Sequence, residues 1–175
     1  MFSALALVAN LGLIVVFGLG YRIGDGSKFD DVTRRLFSQH FLAALGVGVL
    51  VMLVHGIALT YFMGTGRWIE ETVAAYQLSP ATRQANVRLK YRAIPGMVCC
   101  IVLLVVTFAF GAMSDPASGH PTKWAPYVHF ALGTSTLFAN LIVSWIEYNC
   151  IRRNGELIRE TYAAVQKIRA EKGLD

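Results

Sequence analysis

The sequence is short of charge. Only 15% of its 175 residues are Asp, Glu, Lys or Arg, where a soluble domain carries about a quarter. Cysteine is scarce as well. Cys99, Cys100 and Cys150 are the three present, and no CxxC spacing exists for zinc or covalent haem attachment. They read as buried small hydrophobes. No run of Lys and Arg interleaved with aromatics appears, so the formal net charge of +5 does not describe a nucleic-acid surface. Nucleophile triads, phosphate-binding glycine loops and paired carboxylates are missing too, which leaves hydrolase and kinase chemistry without support.

Apolar length takes the place of charge. Hydrophobic residues make up 55% of the chain, and the mean hydropathy is +0.49. Four apolar stretches, roughly residues 3–20, 36–62, 94–113 and 125–150, reach or approach the ~20 residues that cross a bilayer. The fold class expected is an all-α membrane protein, a bundle of four transmembrane helices forming one domain over 1–175. The first stretch has no basic residue before it and reads as a retained helix, not a signal peptide. Lys and Arg are unevenly distributed. Arg67, Arg83, Arg88, Lys90 and Arg92 follow the second stretch, and Arg152, Arg153, Arg159, Lys167, Arg169 and Lys172 follow the fourth. The opposite loops hold only Arg22, Lys28, Arg34, Arg35 and Lys123. By the positive-inside rule both termini are cytoplasmic, in a bacterial inner membrane or its equivalent.

The chain also repeats itself. Shifted by 89 residues, His40-Phe41 falls on His129-Phe130, and the stretch from Ile69 to Gln77 falls on Ile158 to Gln166 with six of nine positions identical. Between Phe37 and Gln77, eleven of 41 positions match. This indicates a duplication of a two-helix unit, with repeat 1 at about 1–80 and repeat 2 at about 90–170. Two spans per copy give both copies the same direction of insertion, with a pseudo-twofold axis along the membrane normal. Phe17-Gly18 also matches Phe110-Gly111, at a shift of 93.

Local signals fill in this map. Ser79-Pro80 reads as an N-cap followed by proline at the first helical position. The helix it opens runs toward Pro95, where proline kinks it or begins the span. After each repeat an amphipathic cytoplasmic helix is expected. In the tail its apolar stripe is Ile158, Tyr162, Val165 and Ile168, packed on the bundle itself. Trp68 and Trp124 fall where aromatic belts form. Glu147 is expected to snorkel to the interface, and Asn140 to join helices.

The histidines carry the functional signal. The repeat puts His40 and His129 at equal depth in the second and fourth spans, and intramembrane ionisable groups usually face a bundle's interior. Two neutral imidazoles across an axis suit a six-coordinate haem iron, each giving one nitrogen. One turn after each stands a small residue, Ala44 or Gly133, which leaves room for a flat macrocycle; Gly46 and Gly48 add space. Six positions before each stands a cation, Arg34 or Lys123, suited to haem propionates. A zinc or copper site would need Cys, Asp or Glu nearby, and none is in register. His55 lies 15 residues beyond His40, about 22 Å deeper. The repeat gives it Ser144 as counterpart, so a second haem there would need Met97 or Met52, and a buried hydrogen bond or a quinone site is the simpler expectation. His120, in Ser118-Gly119-His120-Pro121, reads as an exposed turn residue.

This pattern resembles the small four-helix b-type cytochromes, in which histidines on two helices clamp one or more haems. Arg88-Leu89, Pro95-Gly96-Met97, Trp124 and His129 further resemble a stretch of the bacterial haem-binding membrane protoporphyrinogen oxidases. That likeness implies six-electron oxidation of a tetrapyrrole and carries over His129 as a haem ligand. The chain departs from it in having no lysine beside His129 and no histidine in its first span. The function expected is one-electron transfer by one haem b between His40 and His129, to or from a quinone or a partner redox protein. Two alternatives stand beside it: a cofactor-free accessory subunit of a larger membrane complex, and a haem-dependent porphyrin or quinone oxidoreductase. Partners expected are the lipid bilayer and a redox partner, in a homo-oligomer or a larger complex, and not nucleic acid.

Overall fold

The structure, a computed structural model, describes residues 1–24, 30–115 and 122–174. Lys28 and His120 lie outside the described residues. The chain folds as α1 (Phe2–Ile23), α2 (Asp31–Ala75), α3 (Pro80–Ser114) and α4 (Ala125–Glu171), with no strand among the described residues. All four helices are long and apolar enough to cross a membrane.

Helix starts follow the sequence. Asp30 caps α2 by accepting the Thr33 N–H at 2.8 Å, and that bond holds its carboxyl below the ordinary value. Ser79 caps α3, its Oγ accepting the Ala81 N–H at 3.3 Å, with Pro80 in the first turn. Gln77, at φ 54°, makes the tight connection from α2 to α3.

Helix lengths depart from expectation. α2 has 45 residues and α4 has 47, about 67 and 70 Å of helix, or twice a bilayer's apolar thickness. The amphipathic segments expected as separate cytoplasmic helices are therefore continuations of α2 and α4. No proline interrupts either, and Gly64, Gly66 and Gly155 are tolerated within them. α3 likewise runs through Pro95 without a break.

α1 and α3 each pack against both α2 and α4, giving a four-helix bundle. One core joins Ala6, Ala9 and Leu13 to Val51, Val54 and Leu104; a second joins Ala58 and Phe62 to Ala93, Met97 and Cys150. Leu7, Leu11, Phe41, Leu45, Leu53 and Trp145 point outward. Apolar side chains at outward positions are what a lipid solvent requires. Cys99 is exposed among them, unlike the buried Cys100 and Cys150.

α4 keeps a seam that no single residue announces. Asn140, Glu147, Asn154 and Thr161 recur every seven residues, and each is at most 3% exposed. A seven-residue period keeps one face of a helix against its neighbours, and polar residues on that face fix register. Asn154 shows how. Its Nδ2 donates to Tyr61 Oη and Thr65 Oγ1 on α2, at 3.2 and 3.0 Å, and its Oδ1 accepts from Asn86 on α3 at 2.7 Å. The same seam turns Thr161 and Val165 inward and leaves Tyr162 outside, so the tail's apolar stripe is rotated from the one expected.

Candidate functional site

Two histidine-centred polar groups stand inside the bundle. At the end carrying the α1–α2 and α3–α4 loops, His40 of α2 meets His129 of α4. Their ring centres are 6.1 Å apart and their planes lie at 84°. His40 Nδ1 donates to the Val16 carbonyl of α1 at 3.1 Å, and His129 Nδ1 to the Thr107 carbonyl of α3 at 2.9 Å. A carbonyl only accepts, so Nδ1 carries the proton in both rings. Each neutral imidazole then keeps a lone pair on Nε2.

Glycine makes these seats. A Cβ at Gly20 would stand 3.0 Å from His40 Cε1, and one at Gly111 would stand 2.9 Å from His129 Cε1. Gly20 and Gly111 each lie one turn beyond the residue whose carbonyl takes the bond. The two seats are therefore equivalent, carbonyl for carbonyl and glycine for glycine. They pair Gly20 with Gly111, not Gly18 with Gly111 as the shift of 93 suggested. Aromatic contacts flank the pair: Phe17 against Phe130, with ring centres 5.5 Å apart, and Phe110 against Trp124, at 5.8 Å.

Arg34 and Lys123 are exposed at the same end of the bundle, six positions before their histidines. Ala44 and Gly133 are half-buried, and a Cβ at Gly133 or Gly46 would meet nothing within 4 Å. Gly48 differs, because the Phe108 ring fills the space that a side chain there would need.

His55 belongs to the second group, together with Glu147. His55 Nδ1 lies 2.7 Å from Glu147 Oε1, and Nε2 lies 3.0 Å from Asn140 Oδ1. Asn140 Nδ2 donates to Asn10 Oδ1 at 2.9 Å, and Asn10 Nδ2 donates to the Ala6 carbonyl at 2.8 Å and Ser144 Oγ at 3.2 Å. The Ala6 carbonyl sets the direction of the whole chain: it fixes the Asn10 amide, which fixes Asn140, which requires a proton on His55 Nε2. With both nitrogens engaged, His55 has none free for a second haem; Met52 is exposed and Met97 is packed in the core. Glu147 is fully buried. It does not snorkel, because the α4 seam points it inward and His55 meets it there.

Among the described residues no three His, Cys, Asp or Glu side chains cluster as a metal site. The histidine pair can offer two nitrogens and no more. No family model, curated protein or solved structure matches the chain.

Proposed function

We propose that this protein is a membrane-bound b-type cytochrome, carrying one haem between His40 and His129 and passing single electrons to or from a quinone or a redox protein. The observation that carries the reading is the geometry of the pair. Two imidazoles sharing one metal ion through nitrogen–metal bonds of about 2 Å stand about 6 Å apart, ring centre to ring centre. The pair stands at 6.1 Å. Ligating histidines commonly donate their second ring N–H to a carbonyl, which fixes tautomer and orientation. Both histidines do so here.

A haem held by His40 and His129 would supply a one-electron couple. The chain's own residues do the rest. Val16 and Thr107 orient the rings, and Gly20 and Gly111 let them lie against α1 and α3. Phe17 with Phe130 and Phe110 with Trp124 add aromatic contacts beside them. Arg34 and Lys123 are cations at the same end of the bundle, suited to propionates. The equivalence of the two seats supports descent from a duplicated two-helix unit.

The excess of Lys and Arg at the α2–α3 turn and the α4 tail supports cytoplasmic termini and a haem near the outer face. Single cysteines in the α1–α2 and α3–α4 loops should then react with impermeant reagents from outside; reaction from the cytoplasmic side contradicts this orientation. For the haem, His40→Ala and His129→Ala should each abolish the low-spin absorption bands. Normal spectra in both single variants refute the assignment. A colourless wild-type protein made with ample haem favours the accessory-subunit reading.

A further inference from the structure

We propose that Glu147 is a proton-carrying acid inside the membrane, holding its proton on Oε1 against His55 Nδ1 and exchanging it with water. Four facts lead there. Glu147 is 0% exposed and is the only acid buried among the described residues. Its Oε2 has no hydrogen-bond partner among the described residues. Its Oε1 faces a histidine nitrogen at 2.7 Å. That histidine's other nitrogen must donate to Asn140, by the order of amides that begins at the Ala6 carbonyl.

The order of donors leaves one proton to place, between Nδ1 and Oε1. On Nδ1 it makes an imidazolium beside a carboxylate, and the carboxylate would then hold an unpartnered charged oxygen in an apolar bundle. On Oε1 it makes a neutral acid donating to a neutral imidazole, and Oε2 becomes an ordinary carbonyl oxygen. A buried charge lacking hydrogen bonds is far costlier than a buried neutral group lacking one. The neutral arrangement therefore wins.

The groups around the pair are few. The other titratable side chains acting on the pair are Cys100 of α3 and Cys150 of α4; Arg92 of α3 lies beyond Cys150, and α1 contributes only uncharged Asn10. One heptad along α4, about 10 Å away, the Asn154 cluster with Tyr61, Thr65 and Asn86 gives the next polar step toward the projecting ends of α2, α3 and α4. Acids and histidines joined inside a membrane bundle are the usual parts of proton relays. The repeat does not account for this group. Positions equivalent to His55 and Glu147 hold Ser144 and Ala58, so the symmetry that builds the His40–His129 seats does not build this one.

Infrared spectroscopy of the purified protein at neutral pH tests it, whether or not haem is bound. Exposed carboxyls are ionised there, so a carboxylic-acid carbonyl band must come from a buried acid. Wild type should show one such band, moved to lower frequency in D2O and lost in Glu147→Gln. Protein grown with 13C-labelled glutamate should show the same band displaced, which serves even if the Gln variant does not fold. No band at neutral pH, no isotope displacement, or a band surviving in Glu147→Gln overturns the protonated acid. A band unmoved in D2O overturns the exchange.

Discussion

Gly111→Ala tests the histidine seat with the smallest perturbation available. The added Cβ would begin 2.9 Å from His129 Cε1 and 3.2 Å from Nδ1, while carbon atoms rest at about 3.5–4.0 Å. The ring must retreat by about 0.6 Å or more to reach that separation. Gly111 and Thr107 stand one turn apart on the same helix, so retreat from one is retreat from the other. The Nδ1–carbonyl bond, now 2.9 Å, would lengthen to about 3.5 Å and cease to be a hydrogen bond. Overpacking costs about 1–3 kcal/mol, and the helical preference of alanine over glycine returns about 1 kcal/mol. Net destabilisation should be about 0–2 kcal/mol, which a thermal melt can bound. The effect on a bound metal should be larger, because losing such an orienting partner costs about 10–100-fold in affinity. Haem titration followed by absorbance would read it. Gly20→Ala should behave alike, from 3.0 Å. Gly64→Ala, with nothing within 4 Å, should bind haem normally and melt no lower. Full haem affinity and unchanged melting in both Gly20→Ala and Gly111→Ala would refute the seat.

Two other changes probe the buried polar groups. His55→Leu strands Asn140 Oδ1 and the Glu147 carboxyl and should cost about 1–3 kcal/mol. The double variant with Glu147→Leu should recover part of that loss; a double variant melting below the single one contradicts the pairing. Asn154→Leu leaves Asn86, Tyr61 and Thr65 without their shared partner and should cost about 1–3 kcal/mol, read by thermal melting. A loss under about 0.5 kcal/mol would mean that the cluster does not fix register.

Much of this was legible in the sequence, for identifiable reasons. Four spans follow from apolar length alone, and the two-histidine pattern follows from the 89-residue repeat. The helix extensions did not, because amphipathic and apolar periods share one helix without a breaker at the membrane boundary. The glycine seats were hidden by loop length. Gly20 lies 20 residues before its histidine and Gly111 lies 18 before its own, so a constant shift cannot align both. The His55–Glu147 pair breaks the repeat and joins residues 92 apart, which only packing can bring together. One signal was readable and missed: Asn140, Glu147, Asn154 and Thr161 at strict seven-residue spacing. That spacing marks an inward seam and would have kept Glu147 from the interface.

The central claim is that one haem sits between His40 and His129. The pyridine haemochrome of detergent-purified protein, with spectra before and after dithionite, tests it most directly. A haem held by this pair should give a sharp Soret band, reduced α and β bands of b-type haem, and one haem per chain. Two haems per chain would contradict the closed environment of His55, and no absorbance in protein made with ample haem would contradict the site itself.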